Sequence, residues 1–191
     1  MISQIKNNFI YPMLLTLCLI VPTASMAADQ PTEKTKFNSA ADFAQTIYPH
    51  AKEAAKELGI DPKVLVAQAA HETNWGKKIP KCRDGSSSYN IFGVKSSQGT
   101  SQKKVITNTK EYRRGKLVKE VAGFRAYDGF QESFSDYVAM LKRCARYQAA
   151  LEAESPYDFL INLQKSGYAT DPSYAKKIFS VYQSKTLKCL V

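Results

Sequence analysis

The sequence predicts an α+β domain that is mainly helical, with one small β-hairpin after the second helix. Three observations carry this reading. Apolar residues recur at helical spacing along most of the 191 residues. An Asp-Pro or Ser-Pro pair opens a periodic segment three times. One stretch, near 103–126, reads as two short strands around a Gly-containing turn. Hydrophobic residues make up 44% and charged residues 23%, which supports a packed core and sets wholesale disorder aside.

Residues 1–28 read as a signal peptide. Lys6 supplies the positive start and Phe9 to Val21 the apolar stretch. Ser25-Met26-Ala27 is a small-x-small site, with cutting expected after Ala27 or Ala28. The apolar run is 13 residues long, and a membrane span needs roughly 20, so a stable membrane anchor is not expected. Residues 29–37 read as a polar linker and 38–191 as the folded domain.

Asn38 or Ser39 caps a first helix, in which Phe43, Ile47, Ala51, Ala54 and Leu58 recur before Gly59 ends it. Asp61-Pro62 opens the second. The Asp side chain accepts from free N–H groups, and the donor that Pro lacks costs nothing in the first turn. This helix reads VLVAQAAHETNW and is expected to run to Gly76. Residues 77–101 lack periodicity and read as a long loop holding the short segment NIFGVK, Asn90 to Lys95. Two strands follow, about 103–112 and 117–126, with Arg113 to Lys116 turning between them. Val118, Val121 and Phe124 break the alternation, which suggests a bulge. Phe130, Phe134, Tyr137, Val138 and Leu141 mark the next helix. Ser155-Pro156 opens another, through Phe159, Leu160 and Leu163 to Gly167. Asp171-Pro172 opens the last, carrying Tyr174, Ile178, Val181 and Tyr182.

The formal charge is +10, and Lys6 is the only charged residue in 1–28, so the mature chain stays strongly basic. A basic exported protein suits a polyanionic surface such as a bacterial wall. The export signal argues against nucleic acid, the usual partner of such a charge. Cys82, Cys144 and Cys189 remain after cleavage, and nothing in the sequence chooses among their three pairings. Their spacings are long and no CxxC occurs, so a zinc site is not expected.

The second helix has little polar face, yet Glu72 stands in its last turn. Helix C-termini disfavour negative charge, and burial favours the protonated carboxyl. A rise of about two pKa units would correspond to about 2.7 kcal/mol, and a general acid at neutral pH needs such a rise. A Glu that points to solvent is the alternative. His71-Glu72 begins the zinc motif HExxH, but position 75 is Trp75, so zinc proteolysis is rejected. Cys82 near His71 lacks any thiol-protease signature. Trp75, the single tryptophan, belongs either to the core or to a sugar groove beside Glu72.

Five strings, in order, resemble glycoside hydrolase family 73. AQAAHETNWGKK is similar to that family's Q-A-x-x-E-S-x-W-G helix, and NIFGVK to its N-L-F-G-x-K. Glu111-Tyr112, Gly115 and Phe124-Arg125-Ala126-Tyr127 resemble its hairpin, E-Y-x-x-G…F-R-x-Y. Ser135-Asp136-Tyr137 resembles S-x-x-D-Y, and GYATDPSYAKK resembles G-Y-A-T-D-P-x-Y-A-x-K. His71 stands where Leu is usual, and Thr73-Asn74 replaces Ser-Gly; neither change removes the acid. The insert with Cys82 and Arg83 has no task that the sequence reveals.

The resemblance implies a lysozyme-like fold, no cofactor, and hydrolysis of the β-1,4 bond after N-acetylglucosamine. The implied partner is the glycan strand of peptidoglycan. It makes 38–191 a glucosaminidase-like catalytic domain and Glu72 its acid. Glu111, on the hairpin, is expected as the base of an inverting displacement. In a second route the substrate's own acetamide attacks and Tyr168 orients it. Trp75, Asn90, Phe92, Lys95 and Tyr174 are expected to shape the sugar subsites. Two rival readings stay open: a lytic transglycosylase giving 1,6-anhydromuramoyl ends, and a non-catalytic wall-binding protein.

Overall fold

The computed structural model describes residues 33–97 and 102–190. The expected signal peptide, 1–28, lies outside the described residues. Among the described residues the order is α1 (Ala40–Leu58), α2 (Pro62–Thr73), β1 (Lys104–Arg113), β2 (Lys116–Arg125), α3 (Phe130–Arg143), a 3₁₀ turn (Ala145–Tyr147), α4 (Gln148–Leu151), α5 (Pro156–Lys165), α6 (Tyr174–Tyr182) and α7 (Lys185–Lys188). This is the mainly helical α+β architecture expected, with one hairpin after the second helix.

Short polar side chains fix where the helices begin. Ser39 Oγ accepts from Asp42 N at 3.0 Å, Asp61 Oδ1 from Lys63 N at 2.8 Å, and Ser155 Oγ from Asp158 N at 3.1 Å. Each satisfies a backbone donor that the helix itself leaves unpaired. Helix α6 begins at Tyr174, later than Pro172 suggests, because Asp171 first takes Ser173 N into a local turn at 2.9 Å.

Helix α2 is the central element and packs against both α1 and α6. Val64 through Ala70 are each at most 1% exposed, as befits a helix apolar all round. Each buried Val or Leu there contributes roughly 1.5–3 kcal/mol. The helix ends at Thr73, short of the expected Trp75. Thr73 Oγ1 donates to Ala69 O at 2.6 Å and accepts from Gly76 N at 2.9 Å. Asn74, Trp75 and Gly76 then all take positive φ (49°, 59° and 78°). Three successive left-handed residues cannot continue a right-handed helix.

The hairpin pairs without interruption from Lys104↔Arg125 to Arg113↔Lys116, so the expected bulge is absent. The broken alternation has another cause. Leu117 and Val121 stand on the outer face, 54% and 68% exposed. Two residues, Arg114 and Gly115, make the turn, both at positive φ, which matches the twist of the flanking strands. Arg125 and Asp136 fasten the hairpin's base to α3: Arg125 Nη1 reaches both Asp136 oxygens, at 2.6 and 2.7 Å.

Of the stretch expected as a linker, residues 33–37 lie against the helices. The Phe37 ring meets Phe43 edge-on at 5.0 Å, and Phe130 N donates to Glu33 Oε2 at 2.6 Å. Cys82, Cys144 and Cys189 are free thiols.

Candidate active site

Glu72 lies one helical turn beyond Gln68, on the same face of α2. Gln68 is the one polar residue in the buried run of α2, and both ends of its amide are bonded. Tyr137 OH donates to Gln68 Oε1 at 3.0 Å, and Gln68 Nε2 donates to Tyr174 OH at 3.2 Å. Tyr174 OH in turn donates to Glu72 Oε1 at 3.0 Å. A line of donors from α3 through α2 to α6 thus ends on the carboxyl. Each bond polarises the next where water is excluded. The other oxygen faces Gly93 of the NIFGVK loop. A Cβ built on Gly93 would stand 3.4 Å from Glu72 Oε2, and its φ is +64°. Glycine serves both the turn and the close approach.

Burial is the main reason why the Glu72 carboxyl is pushed up to about 7. The Tyr174 hydrogen bond opposes the rise and the nearby Glu111 charge adds to it. Near neutral pH the group is therefore close to half protonated. It opens on a cleft of about 850 Å³. Thr107 and Thr109 of β1 form one wall, and the 78–81 loop forms another.

Glu111 follows Thr107 and Thr109 on the same face of β1, one pleat further along. Lys95 Nζ lies 2.6 Å from its Oε1, and Thr170 Oγ1 donates to its Oε2 at 2.8 Å. Thr170 Oγ1 also accepts from Tyr112 N at 3.0 Å, which ties the hairpin to the loop before α6. Burial alone would raise the Glu111 carboxyl, but Lys95 and Thr170 outweigh it and hold the group below its ordinary value. The two carboxyls thus differ in proton affinity: Glu72 holds its proton up to about pH 7, and Glu111 gives its own up below the ordinary carboxylate range. Glycosidic acid–base chemistry uses such a division.

The other expected site residues divide by position. Lys95 reaches Glu111. Tyr168 OH donates to the Phe92 carbonyl at 2.6 Å, and burial raises its phenol well above the ordinary range, so it stays a neutral donor. Tyr174 is 2% exposed and acts on Glu72 instead of facing the cleft. Asn90 borders the cleft, but its amide spans the backbone, giving to Val94 O and Arg125 O and taking from Val94 N. The Phe92 ring belongs to the core, stacked on Tyr137 at 4.1 Å between centroids. Trp75 is partly buried and sits edge-on to Phe43 at 6.4 Å. Sequence reasoning missed Gln68, Gly93 and Thr170. A polar residue four before the acid in an apolar helix was the available signal for Gln68. Thr170 was quoted only as part of a string.

A helical body, one hairpin wall, and a cleft with a proton-holding carboxyl at its foot define a lysozyme-like domain of the glycosidase type. The chain belongs to the glucosaminidase family: the profile described as mannosyl-glycoprotein endo-beta-N-acetylglucosaminidase matches residues 48–187. Peptidoglycan hydrolase FlgJ of Pseudomonas aeruginosa is 47% identical over 149 residues. That alignment covers 78% of this chain and 37% of FlgJ, so the chain spans little more than a third of that relative's length. A crystal structure of a peptidoglycan hydrolase mutant from Sphingomonas sp. A1 superposes with a TM-score of 0.74 at 38% identity, covering 78% of this chain and 96% of that one. The C-terminally truncated glycoside hydrolase domain of Salmonella typhimurium FlgJ gives 0.65 at 37% identity, covering 80% of this chain and all of that one.

Proposed function

We propose that this chain is an exported peptidoglycan hydrolase that cleaves the β-1,4 bond after N-acetylglucosamine, with Glu72 as general acid. The observation that carries the proposal is the Glu72 carboxyl, raised to about 7 at the foot of the cleft. Family membership supports it, as do relatives named as peptidoglycan hydrolases. The signal-peptide pattern of 1–28 supports export.

In this reading Glu72 gives its proton to the glycosidic oxygen as the bond from the anomeric carbon breaks. Glu111 takes a proton from a water whose oxygen bonds to that carbon, which inverts its configuration. A second reading has a specific observation behind it: both Glu111 oxygens are engaged, by Lys95 and Thr170. The substrate's acetamide oxygen, oriented by Tyr168, then bonds to the anomeric carbon as the glycosidic bond breaks, and a water afterwards displaces it, so that configuration is retained. Proton NMR of the freshly released anomer separates the two routes.

Mass spectrometry of digested sacculi tests the whole proposal. Reducing N-acetylglucosamine ends are expected, and they disappear with Glu72→Gln. Anhydromuramoyl ends would identify a lytic transglycosylase instead. Binding to sacculi without solubilisation would identify a wall-binding protein.

A further inference from the structure

Four lysines line the cleft: Lys78 and Lys81 on the loop after α2, Lys110 on β1 and Lys119 on β2. All four are exposed, and no acid lies within ion-pair distance of any of them among the described residues. The neighbouring carboxylates are committed elsewhere. Glu111 is paired with Lys95, Glu120 with Arg113 at 2.9 Å, and Asp128 with Lys103 at 2.5 Å. Lys110 and Lys119 are direct partners in the hairpin register, on the outer face that carries Leu117 and Val121, so two ammonium groups stand side by side at the rim of the cleft and not on its Thr107–Thr109 wall. Like charges directly opposite destabilise a hairpin, and a cluster of one sign at the rim of a cleft raises the local concentration of opposite charge. The arrangement is costly to the free protein and favourable once an anion enters.

We propose that these lysines bind carboxylates on the peptide stems of the glycan, so that the preferred substrate is an acidic, peptide-bearing strand. This rests on the reading of the chain as a peptidoglycan hydrolase. The sugars at the cleavage point are neutral; the charge that the cleft selects lies on the branches beside them.

Three substrates test it with the full mature chain: intact strands, the same strands with stem carboxylates amidated chemically, and strands stripped of stems at the lactyl amide. Stripping leaves one lactyl carboxylate on each muramic residue. The expected kcat/KM on intact strands exceeds that on amidated strands by about tenfold or more at low salt. The ratio falls below about twofold in 0.5 M salt, where screening is strong. It falls likewise in a variant with all four lysines changed to Gln. Changing Lys110 and Lys119 to Glu reverses the preference. A wild-type ratio near one, or a ratio that the four Gln changes leave intact, overturns the proposal. Stripped strands cleaved as well as intact ones overturn the assignment to stems and place the anion on the lactyl group. If no substrate is cleaved, the hydrolase reading fails. Charge recognition is then decided by co-sedimentation with intact against amidated sacculi: retention lost on amidation upholds it, and equal retention overturns it.

Discussion

The two carboxyls sit on elements of opposite character. Glu72 ends a helix enclosed by α1 and α6, and Tyr174 and Gly93 flank the two oxygens of its carboxyl. Glu111 rides on a two-stranded ribbon whose outer face exposes Ile106, Leu117 and Val121. A lone hairpin is marginally stable in water. This one depends on its base, at Arg125–Asp136, and on two polar ties further out, at Thr170 and between Lys95 and Glu111. Packing therefore tunes the acid, whereas a few polar contacts tune its counterpart. Mutations in the body should alter proton affinity, and mutations around the hairpin should alter placement.

The largest effect is expected from Glu72→Gln. Loss of a general acid costs on the order of 10²–10⁴-fold in rate, read as reducing ends released from sacculi. The same change should stabilise the protein. Between about pH 4.5 and 7 the folded state holds a proton that the unfolded chain has lost, so stability falls as pH rises through that window. The deficit persists above it and is on the order of 3 kcal/mol at 1.36 kcal/mol per unit. Thermal melts should show the Gln variant above wild type at pH 8 and level with it at pH 4.

Next comes Glu111→Gln. A loss of far more than tenfold (typical for a removed base) marks Glu111 as the group that activates water. A loss under about threefold favours the acetamide route. Tyr174→Phe should act more gently, through Glu72. The Tyr174 bond favours the ionised carboxyl, so removing it raises the Glu72 pKa further. The alkaline limb of the rate profile, expected near pH 7, then moves to higher pH. An unmoved limb would sever Tyr174 from the acid.

Smallest is Thr170→Val, which keeps the shape but takes one hydrogen bond from Glu111 and one acceptor from Tyr112 N. A few-fold rise in KM is expected, with faster amide exchange in the hairpin and unchanged exchange in α2. Equal change in both elements would contradict the division between body and ribbon.

Local chemistry made much of the body legible beforehand. Ser39, Asp61 and Ser155 cap helices by bonds to residues two or three away, and such bonds are visible as strings. Glu72 stood out because a charge ended an apolar run. What stayed hidden depends on distant partners. Tyr174 and Glu72 are 102 positions apart, and Thr170 and Glu111 are 59 apart. No periodicity reports such contacts. The rings of Phe92 and Trp75 were open to either the groove or the core, since an aromatic side chain suits both. The bulge was an inference from a broken alternation in which Val121 faces solvent while Val118 and Phe124 lie on the inward face.

The segment 33–37 bears on how short the chain can be cut. The family match opens at Tyr48, in the middle of α1. Gly76, four residues past Glu72, has no room for a Cβ because the Phe37 and Phe43 rings lie against it. A chain trimmed to the boundary of the match would discard both rings and the Glu33 carboxylate at the head of α3. It would retain every residue assigned a chemical role and lose the floor beneath them. A minimal version of this domain should therefore begin no later than Glu33.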